Sequence, residues 1–92
     1  MATYIFKLFI AGNTPRSERA VENLKRICES RLKNSFRLMV TDVLEQPELA
    51  KEYKILAAPT VVKESPQPAR RIVGDLMDTE KVMLSLDLTI NE

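Results

Sequence analysis

Ninety-two residues, 45% hydrophobic and 29% charged with only two glycines, match the size and composition of one ordinary globular domain. Fourteen Lys+Arg against thirteen Asp+Glu leave a formal charge of +1, too balanced for a nucleic-acid binder driven by bulk charge, and no apolar run approaches the ~20 residues that span a bilayer. With no histidine and one cysteine, the chain holds no Ser-His or Cys-His pair, no imidazole zinc site, no internal disulfide and no CxxC pair. A non-enzymatic role without metal or cofactor is expected. The start, Met1-Ala2-Thr3-Tyr4, lacks a basic segment leading into an apolar one, so the expected location is the cytoplasm rather than the exterior. Residues 1–41 hold eight basic and three acidic groups, residues 42–92 six and ten. Solvated faces alone can differ in this way, but such polarity also suits docking onto a protein surface, where charge sets orientation and on-rate.

Thr3-Tyr4-Ile5-Phe6-Lys7-Leu8-Phe9-Ile10 is β-branched, aromatic and apolar on both parities, which predicts a central strand covered on both faces. Ala11-Gly12-Asn13 breaks it; Thr14 suits an N-cap and Pro15 the first helical position. Over residues 16–33, Ala20, Val21, Leu24, Ile27, Cys28 and Leu32 trace one helical stripe, with Glu22–Arg26 and Glu29–Lys33 as supporting i,i+4 pairs. Asn34-Ser35 turns the chain into a second strand, residues 36–43, with Phe36, Leu38 and Val40 on one face. The unit is βαβ, with a right-handed crossover expected. Pro47 opens a short helix through Tyr53 whose inner face is Leu49, Ala50 and Tyr53. Residues 55–58 fit a helix or a strand equally. Residues 60–63 and 70–73 predict a hairpin around Pro66 and Pro68, and Asp78 caps a last helix over residues 79–90 with Val82, Met83, Leu86 and Ile90 as its stripe.

The order β-α-β-α-β-β-α in a single domain spanning residues 1–92 is that of an α/β thioredoxin-like fold, one sheet covered by helices. Ala58-Pro59-Thr60 sits where that fold places its cis-proline turn, which makes Pro59 a cis-proline candidate. Pro59, Pro66 and Pro68 read equally well as loop stiffeners.

Ala11-Gly12-Asn13-Thr14-Pro15, Asp42-Val43-Leu44 with Pro47, Lys54-Ile55-Leu56-Ala57-Ala58-Pro59-Thr60, Arg70-Arg71-Ile72-Val73-Gly74-Asp75-Leu76, Glu80-Lys81-Val82 and Leu86-Asp87-Leu88 together resemble the KaiB family of circadian clock proteins, in register over residues 4–88. The resemblance implies a non-enzymatic regulator that binds a KaiC-type ATPase hexamer and modulates its phosphorylation cycle and output signalling. It further implies KaiA or a sensor histidine kinase as partners by competition, and a homo-oligomer, dimer or tetramer, in a resting state. The family is metamorphic, so the alternative topology is the KaiB resting-state fold, βαββααβ, with a rearranged C-terminal half. The alternative function is a thioredoxin-like sensory or adaptor interaction domain of a two-component or stress-response pathway. Neither nucleic acid nor membrane is expected as a partner.

Arg19, Lys54, Lys63, Arg70 and Arg71 match basic positions of the family and carry over as partner-binding residues facing an acidic surface; solubility explains any one of them equally well. Arg70 and Arg71, adjacent on a strand, point to opposite faces and must differ in role. Ser85, Asp87 and Ile90 are fold-switch candidates, since family members often carry Gly at the first position and an aromatic at the last. Ser outranks Gly as a helix former by a few tenths of a kcal/mol, which favours a helical C-terminus here. Met39 stands where cyanobacterial members tend to have Lys. Cys28, on the stripe with Leu24 and Leu32, is expected as an inert buried thiol, Tyr4 and Tyr53 as core or edge aromatics, and Glu48 with Glu52 as surface charge rather than an acid–base pair.

Overall fold

The computed structural model describes residues 3–33, 35–86 and 88. In them the chain forms β1 (Tyr4–Ile10), α1 (Pro15–Ile27) continued by a π-helical turn (Cys28–Leu32), β2 (Phe36–Asp42), α2 (Pro47–Glu52), β3 (Thr60–Ser65), β4 (Arg70–Val73) and α3 (Thr79–Ser85). The sheet order is β2-β1-β3-β4. β1 runs parallel to β2 and antiparallel to β3, and β3 and β4 form an antiparallel hairpin. This is the thioredoxin-like topology expected from the element order.

Local chemistry accounts for the helix starts. Thr14 is extended, its hydroxyl accepts from the Ser17 N–H at 3.1 Å, and Pro15 fills the first turn, where a missing N–H costs nothing. Asp78 does the same for α3, accepting from the Lys81 N–H at 3.1 Å. Lys33, at φ 55°, ends the long helix where the stripe ends. α3 is shorter than expected: its last residue is Ser85, Leu86 caps it, and Asp87 and Ile90 lie outside the described residues.

Strand alternation sorts the sheet into two faces. Phe6, Leu8 and Val61 pack under Ala20, Leu24, Ile27, Cys28 and Leu32 of the long helix and under Leu76, Val82, Leu86 and Leu88 from the C-terminal segment. Full burial of each large aliphatic or aromatic side chain contributes roughly 1.5–3 kcal/mol. On β2, Phe36 and Leu38 lean on this core, but Val40, expected on the same face, is 45% exposed because the core ends short of that edge. The opposite face carries Phe9 and Val62; Tyr53, the C-cap of α2, packs against Phe9 there, and none of the residues of α2 is fully buried. Residues 55–59 are neither helix nor strand. The peptide bonds Ala58–Pro59, Ser65–Pro66 and Gln67–Pro68 are cis.

Cys28 is fully buried, and burial, with the Glu29 charge adding to it, pushes its thiol up to about 12. The protonated form is the one the fold prefers. Its contribution to stability is therefore complete below the unfolded-chain value of about 8.5 and is lost as pH rises through that of the folded protein. Alkylation near pH 8 is expected to proceed only as fast as the chain opens, and the urea midpoint to fall between roughly pH 9 and 12. A Cys28→Ser variant with the same alkaline slope would assign that loss to other groups.

Candidate partner-docking site

The edge strand β4 and the turn after α2 are fastened together by one side chain. The Arg71 guanidinium donates to the Tyr53 carbonyl at 2.8 Å and to the Lys54 carbonyl at 3.2 Å. Lys54 adopts φ 55°, so the turn is tight and its ammonium projects from it, exposed. Arg70 precedes Arg71 on β4 and is also exposed, on the other face of the strand. Gly74 N donates to the Pro59 carbonyl at 2.9 Å, which sets the loop before β3 beside the loop after β4. Leu56, Val73 and Met77, at 97%, 55% and 68% exposure, add apolar surface to these loops and this edge. The result is a basic patch with apolar neighbours, chemistry suited to an acidic protein surface.

The five basic residues singled out in the sequence fare differently. Lys54 and Arg71 are brought into contact, and Arg70 adjoins them. Arg19 lies on α1, where its guanidinium pairs with Asp75 at 3.4 Å. Asn23 donates to the Asp75 carbonyl at 2.8 Å, so the two side chains brace α1 against the loop after β4. Lys63 must be withdrawn from the exposed set. It is 1% exposed, shares its face of β3 with Val61, and carries its ammonium 6.0 Å from the centre of the Tyr4 ring. Strand alternation turns it inward, and its long stem packs within the core. Of the fold-switch candidates, Ser85 ends α3, half-buried, while Asp87 and Ile90 lie outside the described residues. Pro59 is buried behind its cis peptide bond.

One cluster escaped sequence reasoning. Lys7 donates to the Tyr53 hydroxyl, which in turn donates to Glu64 Oε2 at 2.7 Å, and the Lys7 ammonium lies 3.7 Å from Glu64 Oε1. The Tyr53 ring tilts against Phe9 with centroids 5.1 Å apart. The hydrogen bond to Tyr53 raises the Lys7 pKa, desolvation opposes the rise, and the Glu64 charge adds to it. Lys7 pairs with Val62, and alternation along β3 puts Glu64 on the same face as Val62, so Glu64 and Lys7 lie on one side of the sheet. A lysine in the middle of an otherwise apolar strand was the available signal. The three groups satisfy one another, so they pin the end of α2 across the sheet. Glu48 and Glu52 are exposed on α2 and belong to no such network. Among the described residues no group of three or more His, Cys, Asp or Glu side chains is placed to hold a metal ion, and no helix is long and apolar enough to cross a membrane.

The family model of the KaiB domain matches residues 7–88. The chain is 57% identical over 90 residues to the circadian clock oscillator protein KaiB of Prochlorococcus marinus subsp. pastoris, covering 98% of this chain and 84% of that one. To the protein of the same name in Synechococcus elongatus it is 54% identical over 90 residues, covering 98% and 88%. Among solved structures, the N-terminal domain of Synechococcus elongatus SasA aligns with a TM-score of 0.76 at 24% identity, covering all of this chain and 90% of that one. Mitochondrial thioredoxin 3 of Saccharomyces cerevisiae aligns with a TM-score of 0.72 at 19% identity, covering 95% and 79%. These last two likenesses are of fold.

Proposed function

The chain belongs to the KaiB family, and from that membership we propose that it is a non-catalytic clock regulator that docks on a KaiC-type ATPase hexamer and modulates its phosphorylation cycle and output signalling. The observation that carries the reading is the family match across residues 7–88, supported by relatives above half identity over nearly the whole chain. The exposed basic set of Lys54, Arg70 and Arg71 supplies the contact surface, and the single buried thiol leaves no dithiol chemistry to the thioredoxin-like frame. KaiA or a sensor histidine kinase would compete for the complex, in the cytoplasm. A resting homo-oligomer with a rearranged C-terminal half, involving Ser85, Asp87 and Ile90, belongs to the same reading.

The test is pull-down with the KaiC-type protein encoded in the same genome, its phosphorylation state varied. Slow, state-dependent binding is expected, together with no insulin reduction by the purified chain. Failure to bind in any state removes the reading. A second reading, a thioredoxin-like adaptor domain in a two-component or stress-response pathway, draws on the fold likeness to the SasA domain. It predicts binding to a kinase or receiver protein with none to a KaiC-type hexamer.

A further inference from the structure

Lys54 turns at φ 55°, a backbone conformation that a residue with a side chain keeps only when its surroundings impose it. The helix leading into the turn supplies little of that constraint. α2 has six residues, none fully buried, and its N-cap Gln46 makes no side-chain bond. A helix so short does not hold itself. The constraint comes from Tyr53, the residue between α2 and the turn, which is gripped at three points. Its ring tilts against Phe9, fully buried on β1. Its hydroxyl accepts from Lys7 and donates to Glu64 Oε2 at 2.7 Å, and the Lys7 ammonium also lies 4.7 Å from the centre of its ring. Its carbonyl accepts from Arg71 at 2.8 Å. Lys7 stands on β1, Glu64 on β3 and Arg71 on β4, and the strand pairing puts all three on one face of the sheet. Three strands therefore hold one residue.

We propose that Tyr53, anchored by Lys7 and Glu64, is a positioning residue for the docking patch. It sets the turn from which the Lys54 ammonium projects and on which Arg71 closes, so the two cations meet a partner already arranged. An arrangement fixed beforehand spares the complex the cost of ordering it. Tyr53 acts here through Lys54 and Arg71 and need not touch the partner itself. The identity of the partner rests on the KaiC reading, whereas the setting of the turn is measured without one.

Tyr53→Phe tests it, because the change keeps the ring and the net charge and removes the hydroxyl. The Lys54 N–H donates to the Lys51 carbonyl at 3.2 Å and the Ile55 N–H to the Ala50 carbonyl at 2.8 Å, so both amides report on the turn. Their hydrogen exchange is expected to quicken at least tenfold while the amides of α1 keep their wild-type rates. Tyr4→Phe, the same change on the other face of β1, should leave the turn unaltered. Unchanged exchange at Lys54 and Ile55 overturns the proposal, and so does an equal rise along the whole chain, which would be lost stability and not a loosened turn. With a KaiC-type hexamer, Tyr53→Phe is expected to raise the dissociation constant at least threefold and to retain the wild-type salt dependence, since no charge has changed. Arg71→Ala should cost less in the Tyr53→Phe background than in the wild type, because both act through one turn. Full-strength binding with a loosened turn, or losses that simply multiply, overturns the docking role. A wild-type chain that binds no hexamer overturns the KaiC reading and the docking role with it, and the exchange rates decide separately whether Tyr53 sets the turn.

Discussion

Phe6→Ala is expected to lower the unfolding free energy by about 4 kcal/mol, within the 3–5 kcal/mol typical of a buried phenylalanine truncated to alanine. Phe6 is fully buried at the centre of β1, against the long helix and stacked on Tyr4 with centroids 6.1 Å apart. A domain of this length has roughly 5–14 kcal/mol of stability in total, so this one change removes a large part of it. The melting temperature should fall by roughly 15–30 °C, since each kcal/mol shifts a domain of this size by several degrees. Leu56→Ala is the control: Leu56 is 97% exposed, and its loss should stay within about 0.5 kcal/mol. Urea unfolding at constant m-value measures both. A loss below 1 kcal/mol at Phe6 would place the core elsewhere than between the sheet and the long helix.

Reversing Arg70 and Arg71 together to Glu is expected to weaken binding to a KaiC-type hexamer at least tenfold. Reversing Lys25 and Arg26, exposed near the end of α1, should weaken it far less. Both pairs change the net charge by the same amount, so the comparison cancels long-range attraction and isolates position. The two arginines should also separate. Arg71 holds the turn at Tyr53 and Lys54, so its replacement loosens the patch as well as removing charge. Arg70 offers charge alone, and Arg70→Glu should act mainly on the association rate, with a loss that shrinks as salt rises. Equal losses from the Arg70/Arg71 and Lys25/Arg26 pairs would mean that the contact lies on another face.

Much of this fold is written in short-range chemistry, and those parts were legible from residues alone. The apolar run of β1, the Thr14 and Asp78 caps, the stripe from Ala20 to Leu32 and the proline-bounded hairpin each depend on neighbours within a few positions in the chain. The sequence by itself therefore determined the element order, the central place of β1 and the buried, unreactive thiol of Cys28. What it left open depends on which surfaces meet. The alternation on β3 says that Lys63 shares a face with Val61, but only the packing of that face under the long helix and α3 makes it an interior lysine instead of a contact residue. Val40 has the same parity as Leu38, yet lies exposed because the helical layer ends before it. Lys7, Tyr53 and Glu64 are separated by 46 and 11 residues and meet only because β1 and β3 pair beside α2. Arg71 reaches the Tyr53 and Lys54 carbonyls through the same tertiary arrangement. Local propensities amount to tenths of a kcal/mol per residue, whereas strand pairing and helix packing each bury whole side chains. Residue chemistry could therefore name the basic set, and only the tertiary structure could decide which members face outward.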